Sequence, residues 1–217
     1  MDVYEALYTT RAMRRVKPDP VPDDVIRSML DAAIRSPSGG NSQNWRFLTV
    51  TDRRKMASLG GLYAEAWAQL NDTVYRGRRE AAEAGGDQQA LRVMASSQWL
   101  ADNFATVPLV VLAYHRNDPT GASIYPAVWS MMLAARGQGI GTTLTTILGW
   151  FAEQEVAELL GVPLEKGWKN AAAITCGYPL GRWGVAQRAP ADRVTYAERW
   201  GAAPAWTVDE PLWNPQP

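Results

Sequence analysis

The chain has 217 residues, and its 22 lysines and arginines balance its 22 aspartates and glutamates, so the zero net charge gives no electrostatic footprint for nucleic acid or an anionic membrane. One cysteine and one histidine exclude a disulfide framework and a zinc site built from these residues, and no apolar run approaches the ~18 residues of a membrane span. We therefore expect a cytoplasmic protein without a metal, whose partners are small molecules or other proteins rather than nucleic acid or a membrane.

The chain opens with a predicted short helix, Val3 to Thr9, which leads into a basic cluster at residues 10–17. Arg11 and Arg15 occupy positions i and i+4 in this cluster, and no acid within it offsets their charge. Guanidinium groups in such a patch suit the binding of a phosphate or a carbonyl edge. A charged run is also the ordinary composition of a solvated surface. On the residues alone, both interpretations of the cluster stay open.

A second helix is predicted from Pro22 onward, and a loop at residues 36–44 separates it from a strand at 45–51. Gly39 and Gly40 let the backbone of this loop turn sharply and approach another molecule, and the short polar side chains beside them offer donors and acceptors. The loop is therefore either a ligand-binding element or an ordinary connection rich in turn residues.

The middle of the chain is predicted to be helical and then extended. A helix starts near Asp52, with Gly60 and Gly61 as a candidate break, and a polar helical stretch precedes the next helix at residues 88–103. We treat that stretch as a candidate lid. Residues 107–114 are apolar without alternation, which predicts a central strand that is buried on both faces.

A buried helix is predicted at residues 123–136, followed by an extended segment at 139–148 that is either a plain strand or a chain lying against a flat ligand. A short helix at 151–160 and a strand at 170–179, in which Cys176 is a core residue, complete the predicted elements. The tail from residue 181 is rich in tryptophan, arginine and proline without a clear period. We expect an extended arm that needs another surface, for which a second subunit is a candidate.

Four motifs together resemble those of the FMN-dependent nitroreductase family, in the family's order and approximate spacing. They are the Arg-x-x-x-Arg opening at Arg11 and Arg15, the Pro-Ser-Gly-Gly-Asn-x-Gln-x-Trp loop at 37–45, the Leu-Ala-Ala-Arg…Gly-Ile-Gly-Thr run at 133–142, and the Gly-Tyr-Pro turn at 177–179 followed by Arg188-Ala189-Pro190. The matches extend from residue 10 to about residue 190. The chain has no glycine-rich Rossmann fingerprint, which fits a flavin held by a different fold.

The resemblance implies a single FMN-binding domain over residues 1–217 with an α+β sandwich fold, in which helices flank a central, mostly antiparallel sheet. It also implies an intertwined homodimer with FMN at the subunit interface. In such a dimer, residues 181–217 would form a C-terminal arm that packs on the partner subunit.

The resemblance further implies which residues bind the flavin. Arg11 and Arg15 would hold the FMN phosphate, ribityl chain or pyrimidine edge, and Arg188 would add a cation at the phosphate. No side chain is implied as catalytic, because a backbone N–H of Thr146 or Ile147 would donate to flavin N5. The other implied contacts are Met13, where family members often have serine, the residues Pro37, Ser38, Gly39 and Asn41 from the other subunit, and Leu144, Thr145, Thr146 and Ile147 along the isoalloxazine.

The implied activity is a ping-pong reaction in which NADH or NADPH reduces the flavin and a nitroaromatic, quinone or activated alkene then takes the two electrons. Three alternatives remain open. The first is a specialised flavin-fragmenting or dehalogenating branch of the family, and the second is a module that sequesters or senses flavin with little turnover. The third is a plain interaction domain that binds no flavin.

Overall fold

The computed structural model describes residues 1–213, which form two compact units. The larger unit comprises residues 12–181, and the smaller one combines residues 1–11 with residues 182–213. The helices are α1 (Val3–Thr9), α2 (Asp23–Ala33), α3 (Arg53–Leu70), α4 (Arg76–Gly85), α5 (Gln88–Asn103), α6 (Ile124–Gly137), α7 (Ile147–Phe151) and α8 (Glu153–Leu160). The strands are β1 (Trp45–Val50), β2 (Leu109–His115), β3 (Gly141–Thr145) and β4 (Lys169–Gly177).

The four strands form one sheet in the order β1-β2-β4-β3, and each neighbouring pair is antiparallel. Strand β2 is an interior strand, and its alternate residues enter two different core clusters: Val110 and Leu112 on one face, Leu109 and Val111 on the other. Because both faces of β2 are covered, its sequence is apolar without alternation. The predicted central, doubly buried strand and the α+β class are confirmed.

Helices cover both faces of the sheet in the larger unit. On one face, buried residues of α3, α5, α7 and α8 pack with the strands around Phe104. On the other face, α2 contributes Met29 and Ala33, and α6 packs against the strands with a row of fully buried side chains. The sheet therefore separates two apolar cores.

Helix α3 is continuous, so the break considered at Gly60 and Gly61 does not occur. The side chain of Asp52 caps the helix by accepting from the amides of Arg54 and Lys55, as expected for a helix that starts there. A Cβ atom on Gly60 would lie only 2.9 Å from that of Ala105. The glycine therefore provides a close approach between the helix and the turn before β2.

The candidate lid region consists of helical elements. A π-helical turn, Asn71–Tyr75, joins α3 to α4, and a left-handed Gly86 leads from α4 to Asp87, which caps α5. The segment at 139–148 differs from its prediction, because it is extended only as far as β3. Helix α7 starts at Ile147, which places Ile147 and Leu148 in the core on the α3 face.

The smaller unit joins the two ends of the described chain. The amide of Ala186 donates to the carbonyl of Tyr8 at 3.1 Å, and the rings of Tyr8 and Trp213 lie 5.7 Å apart. Farther along, the amide of Val208 donates to the Asp192 carboxylate at 3.1 Å. The only regular element between residues 182 and 213 is a 3₁₀ turn at Ala191–Val194. Residues 214–217 of the predicted arm lie outside the described residues.

Candidate functional site

The basic cluster of the larger unit is bound to the ends of two strands. The amide of Met13 donates to the carbonyl of Thr142 in β3 at 2.9 Å, and the amide of Leu180 donates to the carbonyl of Arg15 at 3.0 Å. These bonds fix residues 13–15 beside β3 and the turn that follows β4. The cluster is therefore an anchored segment, not a freely solvated charged run.

The side chains of this segment point to different places. Met13 is buried beside Gly141, the first residue of β3. A Cβ atom added to Gly141 would lie only 2.8 Å from the Cβ of Met13. Arg15 is exposed, with its guanidinium carbon 5.5 Å from the centre of the Trp99 ring. The structure thus brings two of the predicted flavin-binding residues, Met13 and Arg15, next to β3 and α5.

Arg14, between them, is a residue that the sequence analysis did not single out. Its side chain is half-buried beside Tyr63 and Tyr75, and this burial lowers the pKa of the guanidinium. The hydroxyl of Tyr63 donates to Oγ1 of Thr145 at 3.4 Å, and burial raises the pKa of Tyr63. A half-buried cation therefore lies close to the last residue of β3.

The predicted isoalloxazine-facing residues form the junction between β3 and α7. Leu144 is 37% exposed, Thr145 and Thr146 are half-buried, and Ile147 is buried as the first residue of α7. Thr146 is the N-cap, and the first amides of a helix have no acceptor within that helix. The junction thus presents an exposed leucine and two threonines beside Tyr63.

The loop at residues 36–44, which we call the glycine loop, has a left-handed backbone conformation at three residues. Gly40, Asn41 and Gln43 have φ values of 56°, 51° and 49°. Non-glycine residues rarely adopt such values, and they cluster where a loop binds a ligand or is tightly constrained. The amide of Gln43 donates to Oγ of Ser38 at 3.1 Å, which supports the turn from inside. Pro37, Gly39 and Asn41 are exposed.

A cavity of about 400 Å³ lies between this loop and the turn from β2 to α6. Arg116 provides a cation in the lining. The amide of Gly39 donates to Oγ of Ser123 at 3.2 Å, and both residues line the cavity. The Asp118 carboxylate also lines the cavity, but it already accepts from the amides of Ser123 and Ile124 at the start of α6. The cavity contains none of residues 13–15 or 144–147. The loop and the β3 end therefore do not share this cavity.

The remaining predicted residues, Arg11 and Arg188, belong to the smaller unit. Both are exposed, and neither forms an ion pair among residues 1–213. The guanidinium of Arg11 donates to the carbonyl of Arg182 at 2.7 Å, and that of Arg188 donates to the carbonyl of Gln187 at 2.8 Å. Their charges are therefore available to an anion.

Neither a metal site nor a membrane-spanning helix occurs among the described residues. In the described part of the chain, no three histidine, cysteine, aspartate or glutamate side chains come together in a way that could hold a metal ion. The helices of residues 1–213 include none that is long and apolar enough to cross a membrane. Cys176 is fully buried in β4, and burial raises the pKa of its thiol.

The family model described as the Nitroreductase family matches residues 7–178, and the chain therefore belongs to the nitroreductase family. It is 27% identical over 219 residues to a protein named NADH dehydrogenase from Thermus thermophilus, covering 89% of this chain and 95% of the relative. It is also 27% identical over 188 residues to 5,6-dimethylbenzimidazole synthase from Rhodospirillum rubrum, covering 82% of each chain.

A solved structure confirms the fold class. An iodotyrosine deiodinase bound to FMN and 3-iodo-L-tyrosine aligns with a TM-score of 0.70 at 20% identity, covering 93% of this chain and all of that one. The alignment shows that this chain has the nitroreductase-type α+β fold. The names of these relatives span several activities.

Proposed function

We propose that the protein is an FMN-dependent oxidoreductase that takes electrons from NADH or NADPH and passes them in pairs to a small-molecule acceptor. The observation that carries the proposal is the junction of β3 and α7, where an exposed apolar edge lies beside an anchored basic segment. An aromatic cofactor with a charged edge needs this combination of surfaces. Family membership and the FMN of the related deiodinase structure support the same cofactor.

The residues present fit FMN by their charge and exposure. Arg11 and Arg188 are exposed cations without ion pairs, which suits them to the phosphate. Arg15 suits the ribityl chain or the pyrimidine edge. Met13 stands where a serine hydroxyl often occurs in the family, so it contributes packing rather than a hydrogen bond. The proposed flavin-facing residues are Leu144, Thr145, Thr146 and Ile147.

We further propose a homodimer in which the glycine loop serves the cofactor of the other subunit. Pro37, Ser38, Gly39 and Asn41 would then contact the flavin of the second copy, and the loop cavity, which Pro37, Ser38 and Gly39 line, has no residue of the β3 end in its wall. The smaller unit also exposes large apolar side chains, including Trp200 at 90% and Leu212 at 83%. Such exposure is typical of a surface that a partner covers.

FMN, when bound, would accept a hydride at N5 from the nicotinamide and deliver two electrons to the acceptor. The protein contributes binding, orientation and electrostatics. The backbone N–H of Thr146 or Ile147 would donate a hydrogen bond at N5 and fix the ring. Arg15 would favour negative charge at the edge of the ring, and Met13 would exclude water from the start of β3. Protons can come from solvent, so no acidic side chain is required.

A second candidate is a specialised activity of the same family. The match to 5,6-dimethylbenzimidazole synthase over 82% of both chains and the deiodinase-like fold favour this alternative. The two candidates share the cofactor and differ in the product. Chromatography of reaction mixtures containing either excess reduced FMN with oxygen or 3-iodotyrosine with a reductant would separate them from simple acceptor reduction.

The first experiment is the visible absorbance spectrum of the purified protein, before and after incubation with FMN and desalting. NADH or NADPH is then added without air. Retained flavin bands that bleach with the nicotinamide are the expected result. Bands that are retained but do not bleach would support a flavin-sequestering module or another electron donor. A protein that retains no flavin under any condition would refute the proposal.

A further inference from the structure

Arg14 is a half-buried cation that the protein leaves without an acid partner. The chain does pair arginines elsewhere: Arg35 contacts the carboxylate of Asp31 at 2.7 Å, and Arg76 contacts that of Asp72 at 2.9 Å, both on exposed helix surfaces. No ion pair of Arg14 occurs among residues 1–213. These two pairs lie on the surface, whereas Arg14 is half-buried and has no carboxylate partner there.

The groups around Arg14 carry no negative charge that could offset its positive charge. Its neighbours Tyr63 and Tyr75 are neutral phenols. The ring of Tyr75 already has the guanidinium of Arg78 at 5.8 Å, and the ring of Tyr63 stacks on Phe104 at 4.2 Å. Among the described residues, the cation–π contacts are made by other arginines, namely Arg15, Arg46, Arg78 and Arg116. Among the described residues no acid supplies a counter-charge to Arg14, which leaves the guanidinium available to a bound anion.

The position of Arg14 indicates which molecule supplies that charge. Arg14 follows Met13, whose amide is bound to the carbonyl of Thr142 in β3, and its guanidinium interacts electrostatically with Tyr63. The hydroxyl of Tyr63 is hydrogen-bonded to Thr145, and the next two residues are the proposed donors to flavin N5. A flavin bound there would carry one negative charge at its N1–C2 edge after accepting a hydride, that is, two electrons and one proton. The guanidinium of Arg14 would stabilise that charge if it reaches the ring from the basic segment, and it needs no proton transfer to do so.

We propose that Arg14 is a positioning cation whose counter-ion is the negative charge of the reduced flavin held at the end of β3. This assignment rests on the proposed function, because it requires FMN at the junction of β3 and α7. It deepens that function, because it makes a residue at an unspecified position of the Arg-x-x-x-Arg motif responsible for tuning the cofactor. Arg14 is then more important for reduced than for oxidised FMN.

The test compares Arg14→Met and Arg14→Lys with a matched control, Arg78→Met, in which an exposed arginine next to the same Tyr75 is removed. The flavin midpoint potential and the dissociation constant of oxidised FMN are measured for each. We expect Arg14→Met to weaken binding of reduced FMN at least tenfold more than that of oxidised FMN, which lowers the midpoint potential by about 30 mV per tenfold for a two-electron couple. Arg14→Lys should lower the midpoint potential much less than Arg14→Met does, and Arg78→Met should leave the midpoint potential unchanged.

Thermal unfolding of the flavin-free full-length chain provides a readout that does not depend on the cofactor. Arg14→Met should leave the melting temperature unchanged or raise it, because the substitution removes an uncompensated buried charge. A lower melting temperature together with an unchanged midpoint potential would show that Arg14 is only structural and overturn the inference. An effect confined to the KM of acidic acceptors would overturn it as well. Wild-type protein that binds no FMN would refute the proposed function itself, and the inference with it.

Discussion

A Cβ atom on Gly141 would lie 2.8 Å from the Cβ of Met13, so the first residue of β3 lies directly against the basic segment. Real Cβ atoms do not approach so closely, and the segment would have to move away to admit one. Replacing Gly141 with alanine should therefore destabilise the protein by roughly 1–3 kcal/mol, the usual cost of overpacking. It should also weaken FMN binding, since it displaces Arg14 and Arg15.

Gly61→Ala is the matched control for Gly141→Ala. Gly61 lies within α3, and a Cβ there would have no atom within 4 Å. The substitution should stabilise the protein by roughly 0.5–1 kcal/mol, since alanine is a better helix former than glycine. Chemical denaturation measures both effects, and equal stabilities for the two variants would contradict the close approach of Met13 and Gly141.

Arg11→Ala and Arg188→Ala should each raise the dissociation constant of FMN, by roughly 10- to 100-fold if a charge-assisted hydrogen bond to the phosphate is lost. Far-UV circular dichroism should stay unchanged. Arg188→Ala is the cleaner variant, because Arg11 also donates to the Arg182 carbonyl. Arg27→Ala, at an exposed position of α2, is the control. Unchanged FMN affinity in both variants would refute this assignment of the phosphate site.

The raised pKa of Tyr114 predicts how the stability of the protein changes at alkaline pH. Burial, with the Glu153 carboxylate adding to it, raises the pKa of Tyr114 to about 12, and the Asn170 carboxamide nearby lies outside hydrogen-bonding geometry with its hydroxyl. The unfolded chain loses this proton near pH 10, about two units earlier. The free energy of unfolding should therefore be unaffected by Tyr114 below about pH 10 and fall by up to roughly 2–3 kcal/mol by pH 12.

The variant Tyr114→Phe separates this contribution from the general effects of alkali. At pH 7 it should be neutral or slightly stabilising, because the hydroxyl is buried without a hydrogen bond among the described residues. Between pH 10 and 12 it should lose less stability than the wild type. Urea denaturation at several pH values measures the difference, and parallel pH profiles would contradict the raised pKa.

Cys176 should not react with a thiol reagent in the folded protein. Its side chain is fully buried in β4, and burial raises the pKa of the thiol, so the reactive thiolate is both inaccessible and scarce. Colorimetric titration with an aromatic disulfide should detect about one thiol only after addition of guanidinium chloride. Rapid reaction without denaturant would show that the sheet opens locally at β4.

Secondary-structure elements could be predicted from the sequence where their own residues carry the signal, as a capping side chain or an unbroken apolar run does. Helix α5 has the predicted bounds because the Asp87 side chain accepts from two amides of its first turn. Strand β2 was recognisable from its composition, since an interior strand with two covered faces needs apolar residues throughout. Both signals lie within the elements themselves and require no knowledge of the remaining chain.

The errors arose where distant residues decide the structure. Helix α7 is too short to show a helical period, and it forms because Ile147 and Leu148 enter the core on the α3 face. Gly60 suggested a break only because its contact with Ala105 is invisible in the sequence. The pattern of charges likewise could not show that Arg14 turns inward while Arg15 stays exposed. The flavin-binding residues came from the resemblance and remain predictions.

The pairing of α1 with residues 182–213 affects how the protein is made. During synthesis the first helix leaves the ribosome before the segment that contacts Tyr8, and about 170 residues must follow before that contact can form. At roughly 5–20 residues per second, α1 waits on the order of ten seconds or more without its partner. The larger unit can fold in that interval, whereas α1 acquires its packing last. A chain terminated between residues 181 and 186 would therefore keep all four strands but lack the segment whose amide binds the carbonyl of Tyr8.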